Sequence, residues 1–217
     1  MKLKIEIPET LDEIKLKDYK HFLKFQDENV DDRFYKAKMI EIFCNANLKD
    51  VLQMRYSDTE EVVAILEKLF SEKPKLVQKF NLNGVEYGFH PSLDELTLGE
   101  YIDLDKNIGD WDNIEKAMNV LYRPIEAKFK HKYSVQDYKI GTSGNLLDMP
   151  LSAVMSSIFF LLNLGIDLST TMMRYLENGE VHPDLMQALN SEENGDGIYR
   201  FQNSLTTILQ NLNISLN

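Results

Sequence analysis

Two ten-residue stretches, TLDEIKLKDY at 10–19 and SLDELTLGEY at 92–101, decide how the chain is organised. Five of their ten positions are identical and three more exchange similar residues. Each copy opens with Ser or Thr and carries Glu three residues later, a pattern typical of a capping box at a helix start. A strand-like stretch ending in proline precedes each copy. The repeat therefore predicts two equivalent strand–turn–helix modules. The side-chain pairs expected to be buried in both are Leu11/Leu93 and Tyr19/Tyr101.

The stretch FNLNGVEYGFH at 80–90 predicts a β-hairpin. Asn83-Gly84 lies between flanks that alternate apolar and polar residues, and both residues tolerate the positive φ angles of a two-residue type I′ turn. We expect 79–82 to pair with 85–89 around this turn. A further capping box, Thr97 with Glu100, marks the start of the helix that follows the second copy.

Helical periodicity dominates the rest of the chain, so we predict a mainly α fold with a small β-hairpin element, an α+β protein. A half-buried strand is expected at 2–7, and a polar, irregular stretch at 125–145. The chain is predicted to divide into an N-terminal helical module (1–79), a hairpin with helices (80–140) and a C-terminal helical subdomain (141–217). The expected helices are 16–25, 33–48, 57–71, 98–106, 111–122, 149–167, 170–177 and 198–212.

The composition is acidic, with a formal net charge of −11 at pH 7. The acidity is concentrated at the C-terminal end, where 141–217 hold two arginines against eight acids. Because nucleic-acid binding normally rests on a basic surface, direct contact with DNA or RNA is not expected. The longest apolar stretch, 150–164, is too short to span about 30 Å of hydrocarbon, so we expect a buried helix and no membrane contact.

We find no motif for catalysis, for a cofactor or for a metal. The acidic stretch 103–115 resembles a calcium loop, but Ile108 stands where the turn glycine is needed and Ile114 where the bidentate glutamate is needed. The four histidines show no metal-ligand spacing. These residue patterns alone therefore do not identify a function.

Two features are candidates for specific roles. Arg123 follows an apolar run and precedes proline, so its guanidinium is expected to cap helix carbonyls or to pair with a carboxylate of the second repeat copy. The apolar cluster around 159–162 needs burial, either in the core or against a partner. The candidate partner-binding residues are Phe159, Phe160, Tyr199 and Phe201.

Three blocks of the chain carry a family resemblance: FNLNGVEYGFHPSLDELTLGEYIDLD at 80–105, EKAMNVLYRPI at 115–125 and MPLSAVMSSIFFLLNLG at 149–165. Together they resemble small proteins encoded among the structural and tail genes of tailed bacteriophages, described as tail-assembly-chaperone-like or virion-associated. The resemblance implies a non-enzymatic phage protein that binds other phage structural or tail proteins, in the host cytoplasm or in the virion. An enzyme or host-takeover factor with an unfamiliar site is a further alternative. An assembly chaperone and a permanent capsid, neck or tail component both fit it, and the oligomeric state stays open.

Overall fold

The computed structural model describes residues 5–25, 31–130, 132–139 and 146–177, and in the last range it describes side chains as far as Asp167. These residues form seven α-helices and one four-stranded antiparallel sheet, which confirms the mainly α, α+β fold class. Two short 3₁₀ turns, Leu93–Glu95 and Leu146–Asp148, precede the fifth and the seventh helix. In chain order the elements are α1 Leu16–Leu23, α2 Asp32–Phe43, α3 Leu48–Val51, α4 Tyr56–Ser71, β1 Lys79–Leu82, β2 Val85–Phe89, α5 Leu98–Ile108, α6 Ile114–Leu121, β3 Tyr122–Phe129, β4 Lys132–Val135 and α7 Leu151–Glu177.

The predicted hairpin is confirmed in both register and turn. β1 pairs with β2 so that Leu82 lies opposite Val85. Between them Asn83 has φ 52° and Gly84 has φ 80°, the pair of positive angles that a type I′ turn requires. The strand order in the sheet is β1-β2-β3-β4, and α5 and α6 make the connection from β2 to β3.

The expectation of an irregular stretch at 125–145 is wrong for its first half, because β3 and β4 form the second hairpin of the sheet. Pro124 lies inside β3 opposite Tyr87, and its carbonyl accepts a hydrogen bond from Gln136 N–H at 3.0 Å. The register shifts between Ile125 and Ala127. Proline has no N–H to donate to the ladder and is tolerated in a strand close to such irregularities.

The helices agree with the prediction in position more than in length. α4 and α5 match closely, whereas α2 ends at Phe43, just before Asn45 adopts φ 47°. The two helices expected at 149–167 and 170–177 are one continuous helix, α7. Residues 5–7 of the expected first strand have no regular structure, and 2–4 and the expected helix at 198–212 lie outside the described residues. No helix in the described part of the chain is both long enough and apolar enough to cross a membrane.

The two repeat copies follow the same path through the turn. Glu13 N–H donates to the Thr10 carbonyl and Glu95 N–H to the Ser92 carbonyl, both at 3.2 Å. A helix then begins at the equivalent positions, Leu16 and Leu98. The capping boxes predicted at the first residue of each copy are wrong, because neither of those residues starts an α-helix, whereas the box of Thr97 with Glu100 is confirmed.

Burial does not follow the repeat. Tyr19 is 5% exposed, but its counterpart Tyr101 is 43% exposed. Leu11 is buried, and Leu93 is only partly buried. The prediction of equivalent burial is therefore wrong for the tyrosines, although the backbone paths agree.

The core joins the first helix of the chain to the start of α7. Leu16 N–H donates to the Met149 carbonyl at 3.0 Å, and Leu151 N–H donates to the Ile14 carbonyl at 2.8 Å, so the start of α7 is fixed to the start of α1. The Tyr122 hydroxyl is buried and donates to the Val77 carbonyl at 2.7 Å. Buried apolar residues from Leu11 to Leu162 belong to one cluster. The division into three parts stays a prediction.

The turn glycine offers a paired test with Gly165, which lies in α7. A Cβ added at either position meets no atom within 4 Å, so crowding is the same for both. Gly84→Ala should destabilise the fold by about 1–2 kcal/mol, because φ is positive there. Gly165→Ala should stabilise by about 0.5–1 kcal/mol, because alanine favours a helix. Urea unfolding measures both, and equal effects of the same sign would contradict the assignment of the turn.

Candidate functional site

A groove of about 680 Å³ lies between the sheet, the turn that follows β2 and the helix α7. Apolar side chains from all three elements line it, and charged side chains stand among them. The lining residues are Leu76, Gln78, Phe89, His90, Pro91, Ser92, Leu93, Asp94, Lys132, Tyr133, Phe160 and Leu164.

The tyrosine at 133 lies across the sheet because Gly88 leaves room for its ring. A Cβ on Gly88 would lie 2.4 Å from the ring of Tyr133 and 3.0 Å from Ile125. The Tyr133 hydroxyl donates to the Phe89 carbonyl at 2.7 Å, and the Lys79 ammonium sits 4.7 Å from the ring centroid. These contacts fix a rigid aromatic wall on the sheet side of the groove.

The turn side of the groove is organised around His90. Its backbone N–H donates to the Leu121 carbonyl at 2.7 Å, and its Nδ1 accepts the Ser92 N–H at 3.2 Å. Burial lowers the pKa of His90, and the nearby charge of Arg123 lowers it further. The imidazole is therefore neutral at pH 7, in a tautomer with Nδ1 free to accept that bond.

A buried ion pair lies behind this turn. Arg123 Nη1 is 2.9 Å from Glu100 Oε1, with side-chain exposures of 8% and 5%. Since Glu100 belongs to the second repeat copy, this confirms the carboxylate alternative predicted for Arg123. Burial alone would raise the pKa of Glu100, but hydrogen bonds from the Thr97 hydroxyl and backbone N–H, together with the charge of Arg123, hold it below its ordinary value of 4.5.

The two predicted partner-binding residues on α7 lie in different surroundings. Phe160 lines the groove, with its ring centroid 5.5 Å from that of Phe89. Phe159 is 6% exposed and packs in the core, which agrees with the core interpretation of the apolar cluster. Leu164, one turn beyond Phe160, lines the groove and is 46% exposed. Tyr199 and Phe201 lie outside the described residues.

Sequence reasoning missed most of the groove. Neither His90 nor Tyr133 belongs to a sequence motif that marks a site. The available signal was the alternation of KYSV after Phe129, which indicates the strand that brings Tyr133 to the groove. Across the described ranges, no cluster of three or more His, Cys, Asp or Glu side chains is arranged to hold a metal ion. The groove combines an apolar floor with separate positive and negative rim charges, a combination suited to holding a peptide segment.

Comparisons of the chain with family models, with curated proteins and with solved structures found no match.

The ion pair predicts a strong asymmetry between single and double substitution. Arg123→Met should destabilise the fold by about 3–5 kcal/mol, because it leaves the Glu100 carboxylate buried without its partner. Adding Glu100→Gln to Arg123→Met should restore part of that loss, since the remaining amide is neutral. Urea unfolding of the four proteins in the cycle gives the coupling energy, and strictly additive losses would argue against a coupled pair.

The same pair predicts a pH dependence. A carboxyl group whose pKa is lowered by folding contributes stability above its unfolded pKa and loses it as pH falls through the folded pKa. Wild-type stability should therefore fall as pH drops below 4.5, and Glu100→Gln should flatten part of that fall. The measurement is the free energy of unfolding between pH 6 and pH 3, with Glu67→Gln on the exposed face of α4 as the control. An equal pH slope in wild type and Glu100→Gln would contradict the lowered pKa.

Proposed function

We propose that the protein is a non-enzymatic bacteriophage protein that acts in tail or virion assembly by binding other phage structural or tail proteins. It would work in the host cytoplasm or in the virion. The phage assignment is supported by the resemblance of 80–105, 115–125 and 149–165, and the binding role by the groove on the α7 side of the sheet.

The observation that carries the binding role is the continuous apolar surface inside the groove. Phe160 and Leu164 are one turn apart on α7 and line the groove together with Leu76, Phe89 and Leu93. Fully burying an exposed leucine-sized side chain contributes about 1.5–3 kcal/mol. Leu164 is 46% exposed, so a partner that covers it gains part of that amount. The volume suits one side of a peptide or helix better than a whole domain face.

Charge supports a protein partner over a nucleic acid. The chain carries a net charge of −11, which opposes attachment to packaged or free DNA. On the rim, Lys132 and Asp94 offer one charge of each sign. A bound segment can therefore be oriented by its own charges while its apolar residues contact Phe160 and Leu164.

The test uses two exposed apolar residues of the same helix. Leu164 lines the groove and Ile166, 37% exposed, does not. The chain is co-expressed with the phage structural proteins encoded beside it and captured by an affinity tag. Leu164→Lys should lower the recovered partner at least fivefold, because it places a charge where apolar contact is needed, and Ile166→Lys should leave recovery unchanged.

Two results would overturn the proposal. One is that no phage structural protein is captured with wild type while the protein is folded by circular dichroism. The other is an equal loss with Leu164→Lys and Ile166→Lys, which would place the contact elsewhere. Mass spectrometry of purified virions beside infected-cell lysate then separates the two forms of the function: a fixed copy number per particle indicates a permanent component, and presence in lysate alone indicates a chaperone.

A further inference from the structure

The first repeat copy holds a segment of its own chain, Met149–Ser152, against its turn. Three backbone hydrogen bonds make the contact. Leu16 N–H donates to the Met149 carbonyl at 3.0 Å, Leu151 N–H donates to the Ile14 carbonyl at 2.8 Å, and Ser152 N–H donates to the Leu11 carbonyl at 3.3 Å. Pro150 lies opposite Lys15 in an isolated antiparallel bridge, and the segment enters α7 at Leu151.

Side chains complete this contact. The Ser152 hydroxyl donates to the Asp12 carboxylate. Met149 and Leu151 are fully buried, and so is Leu16 on the receiving helix. The first copy is therefore an occupied docking site for the sequence Met-Pro-Leu-Ser.

The second copy presents the same groups with no described residue docked against them. Leu98 N–H, the Leu96 carbonyl and the Asp94 carboxylate are the counterparts of the Leu16, Ile14 and Asp12 groups, and none of them is hydrogen-bonded to a described residue. The counterpart of the Leu11 carbonyl, on Leu93, accepts Leu96 N–H at 3.4 Å and keeps its second lone pair.

Exposure of the apolar side chains shows the same difference. Leu98 is 75% exposed, whereas its counterpart Leu16 is fully buried. Tyr101 and Ile102, on the same face of α5, are 43% and 52% exposed. Three neighbouring apolar side chains on one exposed helix face are the kind of surface that a partner covers.

The two copies differ in charge at the start of the helix, and this difference affects which segment each can bind. Lys15 and Lys17 of the first copy pair with Asp148, the residue before the docked segment, at 3.4 and 2.7 Å. The second copy has Thr97 and Gly99 at those positions. Both copies carry the same two exposed acids in the turn, but in the second copy no lysine at 97 or 99 offsets Asp94 and Glu95. A basic residue before the segment is therefore favoured where the first copy accepts an acid.

We propose that 93–102 bind a segment of a partner protein with the pattern basic–apolar–Pro–apolar–Ser that enters a helix after its proline, in the way that the first copy binds 149–152. The three exposed side chains that would be covered, Leu98, Tyr101 and Ile102, lie outside the lining of the α7 groove, and only Leu93 and Asp94 belong to both. This second surface does not require the phage assignment.

The experiment uses the full chain, labelled with ¹⁵N, and the capped peptide Lys-Met-Pro-Leu-Ser-Ala. Titration should give saturable shifts of the amides of Leu96, Leu98 and Tyr101. Leu98→Lys should weaken binding at least fivefold, whereas Leu52→Lys, at a leucine outside 93–102 that is 64% exposed, should leave it unchanged. The peptide with Asp in place of Lys should bind at least threefold more weakly, and the difference should shrink with added salt.

Four outcomes would overturn the proposal: no saturable shift at these amides with millimolar peptide, equal weakening by Leu98→Lys and Leu52→Lys, no preference for the Lys peptide, or shifts confined to the amides of Phe160 and Leu164. Dimerisation of the free chain that Leu98→Lys abolishes would identify a second copy as the occupant and would also reject it. Failure to capture a phage protein, with peptide binding intact, would count against the proposed function alone.

Discussion

The rest of the structure depends on the backbone contact between the turn before α1 and the turn before α7. Two hydrogen bonds, from Leu16 N–H to the Met149 carbonyl and from Leu151 N–H to the Ile14 carbonyl, join segments far apart in the chain. They fix the start of α7. Because a helix rises about 1.5 Å per residue, fixing Leu151 also determines that Leu164 arrives beside the sheet about 20 Å away, where it forms one wall of the groove.

The buried pair of Arg123 and Glu100 fixes the other wall. Desolvating two charges is costly, and a pair of this kind is seldom the most stabilising choice for a core. Here the carboxylate is also held by Thr97, and the guanidinium reaches it from β3, so the pair links the start of α5 to the centre of the sheet. The turn that carries His90 and Asp94 lies between those two elements. The pair therefore joins the two elements that flank this turn.

Local signals predicted the parts of this fold that depend on a few neighbouring residues. Asn83-Gly84 sufficed for the first hairpin, because the turn geometry is set by two φ angles. The second hairpin was missed because the composition of 125–145 is polar and irregular. Its first strand also contains Pro124, which is tolerated beside the register shift at Ile125. The break expected between 167 and 170 was also wrong, since α7 continues through it. The groove could not be predicted from sequence, because Tyr133 and Leu164 meet only through pairing of strands and docking of α7.

The repeat shows how one local structure can be used in two ways. In α1 the residues at 16 and 19 face the core and Asp18 does not, whereas in α5 the counterpart of Asp18, Glu100, is buried and the counterparts of Leu16 and Tyr19 are exposed. The buried side of the helix is therefore turned about its axis between the two copies. Leu104 and Ile108 supply the apolar contacts of α5, and Arg123 neutralises the carboxylate that the turn brings inward. The apolar face that α1 uses to hold its own chain is thereby left available on α5.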